Sequence, residues 1–74
     1  MNTISKRFGD KVRALRKRRG LSQEEFADLS GFDRTYVSGI ERGIRNPSLI
    51  AIEKIAIALE VSLSELFESL DEIK

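Results

Sequence analysis

The stretch QEEFADLSGFDRTYVSGIER, residues 23–42, decides the fold. It divides into two short helical segments about a glycine. Ser22 precedes it as an N-cap, and Glu25 completes a capping box, which predicts a helix start at Gln23. Phe26, Ala27 and Leu29 supply an apolar face at helical spacing. Gly31 falls where the first helix must end and the chain turn back, a position at which a left-handed backbone costs least for glycine. Asp33 can cap the second helix, Val37 and Ile40 form its inward face, and Phe32 plugs the corner. A small residue at Ala27, a glycine at Gly31 and a branched apolar residue at Val37 together give helix-turn-helix spacing.

Outward from this motif, the 74 residues make one domain, near the lower limit for a self-sufficient core. With no cysteine and no histidine, disulfides and the common zinc frameworks are excluded, so no cofactor or metal is expected. A small chain without such staples often shares its core by oligomerising. No apolar run approaches a membrane span and the amino terminus lacks a signal-peptide core, so the expected location is the cytoplasm, at the nucleoid when bound to DNA.

A net charge of +1 conceals a polar distribution. Residues 1–20 carry Lys6, Arg7, Lys11, Arg13, Arg16, Lys17, Arg18 and Arg19 against Asp10, whereas residues 61–74 carry Glu65, Glu68, Asp71 and Glu72 against Lys74. As a group the cations favour an anionic partner, because neutralising phosphates releases counterions. Lys17, Arg18 and Arg19 also suit the C-terminal dipole of a first helix over about Ser5–Arg19, closed by Gly20. Ile4, Phe8, Val12 and Leu15 form the stripe of that helix.

The segments GLSQEEFADLSGFDRTYVSGIERG and RNPSLIAIEKIAIALEVSLSELF resemble the lambda-repressor-like family of small DNA-binding domains, the phage repressor, Cro and XRE type. The resemblance runs from about Phe8 to Phe67, and DRTYVSGIERGIRNPSL looks most like the controller proteins of restriction–modification operons. It implies an all-α, compact five-helix fold whose second motif helix enters the major groove of double-stranded DNA. The family's base-reading positions fall on Arg34, Thr35, Ser38 and Gly39. Arg34 can contact guanine O6 and N7 in bidentate fashion, and Thr35 can offer a hydroxyl or a methyl group. Gly39 cannot read a base by side chain; its presence implies close approach of DNA or of a neighbouring helix.

Backbone contacts are expected from Gln23, Tyr36, Arg42, Arg45, Asn46 and Arg18. Alternatives stay open for several of them. Gln23 can be an exposed first-turn residue, Tyr36 can pack its ring across the motif, and Arg42 can cap its helix. The resemblance also implies an Arg16–Glu41 ion pair tying the first helix to the end of the third, with phosphate contact by Arg16 as the competing role.

Pro47 suits the start of a fourth helix over about Ser48–Glu60. Helical angles put Leu49, Ile52, Ile55, Ala56 and Leu59 on its core face and Ile50 and Ile57 together on nearly the opposite side. A further capping box, Ser62 to Glu65, opens a helix presenting Leu63, Leu66, Phe67, Leu70 and Ile73. Leu66 and Phe67 are expected to close the core, leaving Ile50, Ile57, Leu70 and Ile73 as a homodimer interface within about residues 50–74.

Catalysis is not expected: acid–base and nucleophilic work would fall to carboxylates, lysine and hydroxyls, Asp71 and Glu72 adjoin at a polar end, and no phosphate-cradling glycine loop exists. Two functions fit. The first is a dimeric transcriptional regulator on pseudo-palindromic operators, controlling its own operon. RNA polymerase is then a further partner, and Glu24, Glu25 and Asp28 are either the surface that meets it or helix-dipole complements. The second is an antitoxin or coactivator-like adaptor of the same fold, for which exposed Arg34 and Thr35 flanked by Arg45 and Asn46 would have no use.

Overall fold

The computed structural model describes residues 3–71. Five helices follow in order: α1 (Ile4–Arg18), α2 (Gln23–Ser30), α3 (Arg34–Glu41), α4 (Leu49–Leu59) and α5 (Leu63–Leu66). Serine and threonine start four of them, as their short hydroxyls can reach the amides left free in a first turn. Thr3, Ser22, Ser48 and Ser62 accept from the backbone N–H of Lys6, Glu25, Ala51 and Glu65. The cap of α1 is thus Thr3 rather than Ser5. At Ser22 the box closes in both directions. Asp33 has cap geometry before α3, yet its side chain makes no capping bond.

The four longer helices end alike. Past each of them a backbone N–H donates to the carbonyl five residues earlier, and the residue just before the donor lies in the left-handed region. Phe32 N donates to Ala27 O at 2.9 Å, Val61 N to Ala56 O at 3.0 Å and Ile44 N to Gly39 O at 3.0 Å. The left-handed positions are Gly20, Gly31, Gly43 and, without benefit of glycine, Glu60 at φ 59°. The motif turns at Gly31 in this way, folding α3 back across α2.

Phe8, Val12, Leu15, Phe26, Val37, Ile40, Ile55, Leu59 and Leu66 form the centre of one core. Helix α1 approaches α3 closely at Gly9, where a Cβ would collide with the carbonyl oxygen of Ile40 and come within 2.7 Å of that of Glu41. Ile4, Leu29 and Leu49, each expected on an apolar helix face, are outside it, Ile4 being 54% exposed at the first turn of α1. Leu29 is exposed because α2 buries Phe26, Ala27 and Ser30, a face 200° from Leu29 measured from Ala27. Leu49 is 80% exposed, standing two residues and hence 200° around the helix from the buried Ala51.

The carboxyl end departs furthest from helical phasing. Helix α5 stops at Leu66, and Ser69 takes a left-handed conformation at φ 66°, so the chain turns back towards α1. Arg7 Nε donates to Leu70 O at 2.7 Å and Lys11 Nζ to Glu68 O at 3.1 Å. Leu70, expected at a dimer interface, is therefore buried in the monomer core. Phe67, expected to close that core, is 43% exposed and stacks on Phe8 with ring centroids 5.5 Å apart. Ile73, also expected at the interface, and Glu72 lie outside the described residues. Ile50 and Ile57 do stand exposed together on α4, at 68% and 70%. No described helix is long and apolar enough to cross a membrane.

Candidate nucleic-acid interface

Helix α3 is held from behind and open in front. Val37 and Ile40 are fully buried. Arg34, Thr35 and Arg42 are exposed, with Ser38 half-buried among them. Successive steps of four residues on a helix advance by about 40°, so Arg34, Ser38 and Arg42 form a single outer row, with Thr35 beside it.

Its far end is tied to α1 by a buried polar cluster. Arg16 Nε donates to Glu41 Oε2 at 2.6 Å and Arg16 Nη2 to Glu41 Oε1 at 3.0 Å, a bidentate pair with side chains 9% and 3% exposed. Arg16 Nη1 donates to Leu21 O at 2.8 Å, which fixes the α1–α2 turn as well. Gln23 Nε2 reaches Glu41 Oε1 at 3.1 Å. Gln23, expected at a phosphate, thus holds the glutamate while remaining half-buried at the first turn of α2. Glu25 is occupied by the capping box, as its carboxylate accepts from Ser22 N at 2.8 Å.

Beyond α3, the left-handed Gly43 and the Ile44–Gly39 backbone bond fold the following loop against the helix. Arg45 consequently lies along α3, with its guanidinium 5.6 Å from the centre of the Tyr36 ring. Tyr36 meets Phe32 edge-to-face at 4.9 Å, and Lys54 sits 6.0 Å over the Phe32 ring. Tyr36 has the packed, half-buried ring that was one of its two expected roles, and its ring lies on the face that carries Arg45. Gly39 is corrected. It is buried, and the space in front of its Cα, expected to face DNA or a neighbouring helix, is taken by the Arg45 stem. Asn46 is exposed beside Arg45.

The charges divide by location. On α1, much of the basic run is spent within the molecule. Besides Arg7 and Lys11, Arg18 pairs with Glu65 at 2.7 Å. Arg19 donates to Ala58 O at 2.7 Å and lies 3.6 Å from Glu60. Two residues along a helix turn the side chain by 200°, so Arg18 points away from Arg16 and hence from α3. Its expected role on the DNA backbone is corrected accordingly: it joins α1 to α5. Arg34, Arg42 and Arg45, by contrast, have no carboxylate partner among the described residues. Sequence reading missed Gly9, the Arg45–Gly39 contact and the ties from α1 to carboxyl-end carbonyls; only the opposite charges of the two ends hinted at the last.

Residues 12–66 match the family model described as helix-turn-helix. The chain is 51% identical over 72 residues to control protein C.MunI of a Mycoplasma species, covering 96% of this chain and 97% of that protein. It superposes on the crystal structure of the restriction-modification controller protein C.AhdI from Aeromonas hydrophila with a TM-score of 0.83 at 54% identity, covering 85% of this chain and 96% of that one. The controller C.Esp1396I, solved as a tetramer on its natural 35 base-pair operator, matches with a TM-score of 0.83 at 39% identity, covering 90% and 88%. The fold, the turn at Gly31 and these likenesses agree: this chain belongs to the lambda-repressor-like helix-turn-helix family, where it is similar to the controller proteins of restriction–modification systems.

Proposed function

We propose that this protein is a transcriptional controller that binds a pseudo-palindromic operator in its own operon as a homodimer, with α3 in the major groove. The observation that carries the reading is the set of carboxylate-free arginines on and just after an exposed recognition helix. Arg34 and Thr35 lead that helix, where base edges are met, and Ser38 lies one turn on. Arg42, Arg45 and Asn46, all exposed, would meet the phosphates beside it, with Gln23 at the first turn of α2 holding Glu41 behind them. The similar controller C.Esp1396I, solved as a tetramer on its operator, supports operator binding by an oligomer.

The dimer surface we assign is the outer side of α4. Ile50 and Ile57 are two turns apart on it, and Leu49, Ile50, Glu53 and Leu63 line one open groove. Leu49 and Leu63 take the place that Leu70 vacates. Two α3 helices would then meet half-sites about 34 Å apart. Because dimers must form first, occupancy would rise steeply with protein concentration.

A mobility-shift titration on duplex DNA from upstream of the protein's own coding sequence tests the reading. Expected are a specific complex weakened by salt, and loss of discrimination on Arg34→Ala of about 1–3 kcal/mol with the fold retained. Equal affinity for that duplex and a scrambled one would refute it.

A further inference from the structure

We infer that Gly39 is a positioning residue for DNA binding: its missing side chain forms the slot that lays Arg45 flat along the recognition helix. The inference rests on the proposed contact of Arg45 with the operator backbone and adds the device that sets it. Gly39 lies in the interior of α3, where glycine is the least favourable residue after proline. One neighbour fills the space where its side chain would stand. A Cβ built there would stand 2.7 Å from Arg45 Cγ, 3.2 Å from Nε and 3.5 Å from Cδ. All three nearest atoms belong to that single side chain, so the space a larger residue would take is the space the arginine stem occupies.

Three further features converge on the same side chain. Gly43 reverses the chain and the Ile44–Gly39 backbone bond, 3.0 Å long, brings the loop to the height of Gly39. The Tyr36 ring, one turn before Gly39, receives the guanidinium at 5.6 Å. No acidic group among the described residues competes for it. A long cationic side chain on a loop would otherwise lose rotamer freedom on binding. Held at both stem and head, Arg45 has surrendered that freedom before DNA arrives, and its donors stay available at the edge of the α3 face. Alanine at position 39 would keep the helix but push the stem off it, because Cγ is too near the backbone to yield without turning the whole side chain.

A double-mutant cycle on DNA from upstream of the protein's own coding sequence tests this, using Gly39→Ala, Arg45→Ala and the pair. Arg45→Ala is expected to weaken binding about tenfold and lower the salt slope by about one, the effect of one lost charged contact to phosphate. Gly39→Ala is expected to reproduce most of both changes alone, and to change affinity less than about twofold when Arg45 is already alanine. Its melting temperature should hold or rise, since alanine favours a helix interior. Tyr36 is the single tyrosine in a chain without tryptophan. Its fluorescence and ring proton signals should therefore shift alike in both single variants with no DNA present. Gly39→Ala with unaltered affinity beside a weakened Arg45→Ala would overturn the inference and leave the proposed function standing. Equal losses from Gly39→Ala in both backgrounds would also overturn it. Full affinity in Arg45→Ala would instead remove the contact on which it rests.

Discussion

Replacing Glu41 by alanine should cost this protein a large share of its stability, and the structure says why. The carboxylate is the acceptor for Arg16 Nε, Arg16 Nη2 and Gln23 Nε2. With the Arg16 side chain only 9% exposed, water cannot replace what is removed. An unpaired guanidinium retaining one bond, to Leu21 O, is left in the interior. Breaking such a buried pair costs about 3–5 kcal/mol, mostly the penalty of stranding the partner rather than the worth of the pair. A chain of 74 residues has roughly 4–11 kcal/mol of stability in all. Its unfolding entropy, about 0.16 kcal/mol/K at that length, turns 3 kcal/mol into a fall in Tm of about 20 °C. Thermal and urea unfolding at one fixed protein concentration would measure it, the concentration being held because association adds stability. Arg16→Met combined with Glu41→Leu should recover most of the loss, as both charges then leave together. A loss below about 1 kcal/mol for Glu41→Ala would refute the reasoning, since the pair would then be no more than a solvated contact.

Gly9→Ala should destabilise by about 1–3 kcal/mol in urea unfolding, as its methyl group meets backbone oxygens of Ile40 and Glu41 that no rotamer can move. Glu60→Gly should stabilise by about 1 kcal/mol in the same assay, since the left-handed φ of 59° is strained for a residue with a Cβ; the Arg19–Glu60 pair lost with it is exposed and contributes little. Arg18→Ala should leave operator affinity in a mobility shift within about twofold and stability within about 1 kcal/mol, its partner being the surface residue Glu65. Ile57→Asp should yield a folded monomer in sedimentation and weaken operator binding much more at low protein concentration than at high, a charge having been placed on the proposed apolar interface.

Much of the site was legible because local rules act over a few residues. The capping box at Ser22 and Glu25, the glycine turn at Gly31 and the inward pair Val37 and Ile40 are each set by neighbours within one or two helical turns. That set the exposure of Arg34 and Thr35 as well, for they are what the helix has left over once its inner face is assigned. The Arg16–Glu41 contact was of another kind. Twenty-five residues separate its partners, and only the resemblance to a family pointed from one to the other.

The sequence by itself determined the order of helices, the starts of α2 and α5 at Ser22 and Ser62, the turn of the motif and the face α3 presents. Tertiary structure alone decided where each long basic side chain ends. Arg18 meets Glu65 while Arg45 folds over Gly39, although both are arginines near helix ends. It also decided that Leu70 is covered and Phe67 exposed, because Ser69 breaks the helical phase that a periodic reading extends. The physical reason is reach. Periodicity and capping are fixed by covalent neighbours at known angles, whereas a flexible cation or a chain end settles on whichever carbonyl, carboxylate or ring the packed helices bring within a few ångströms.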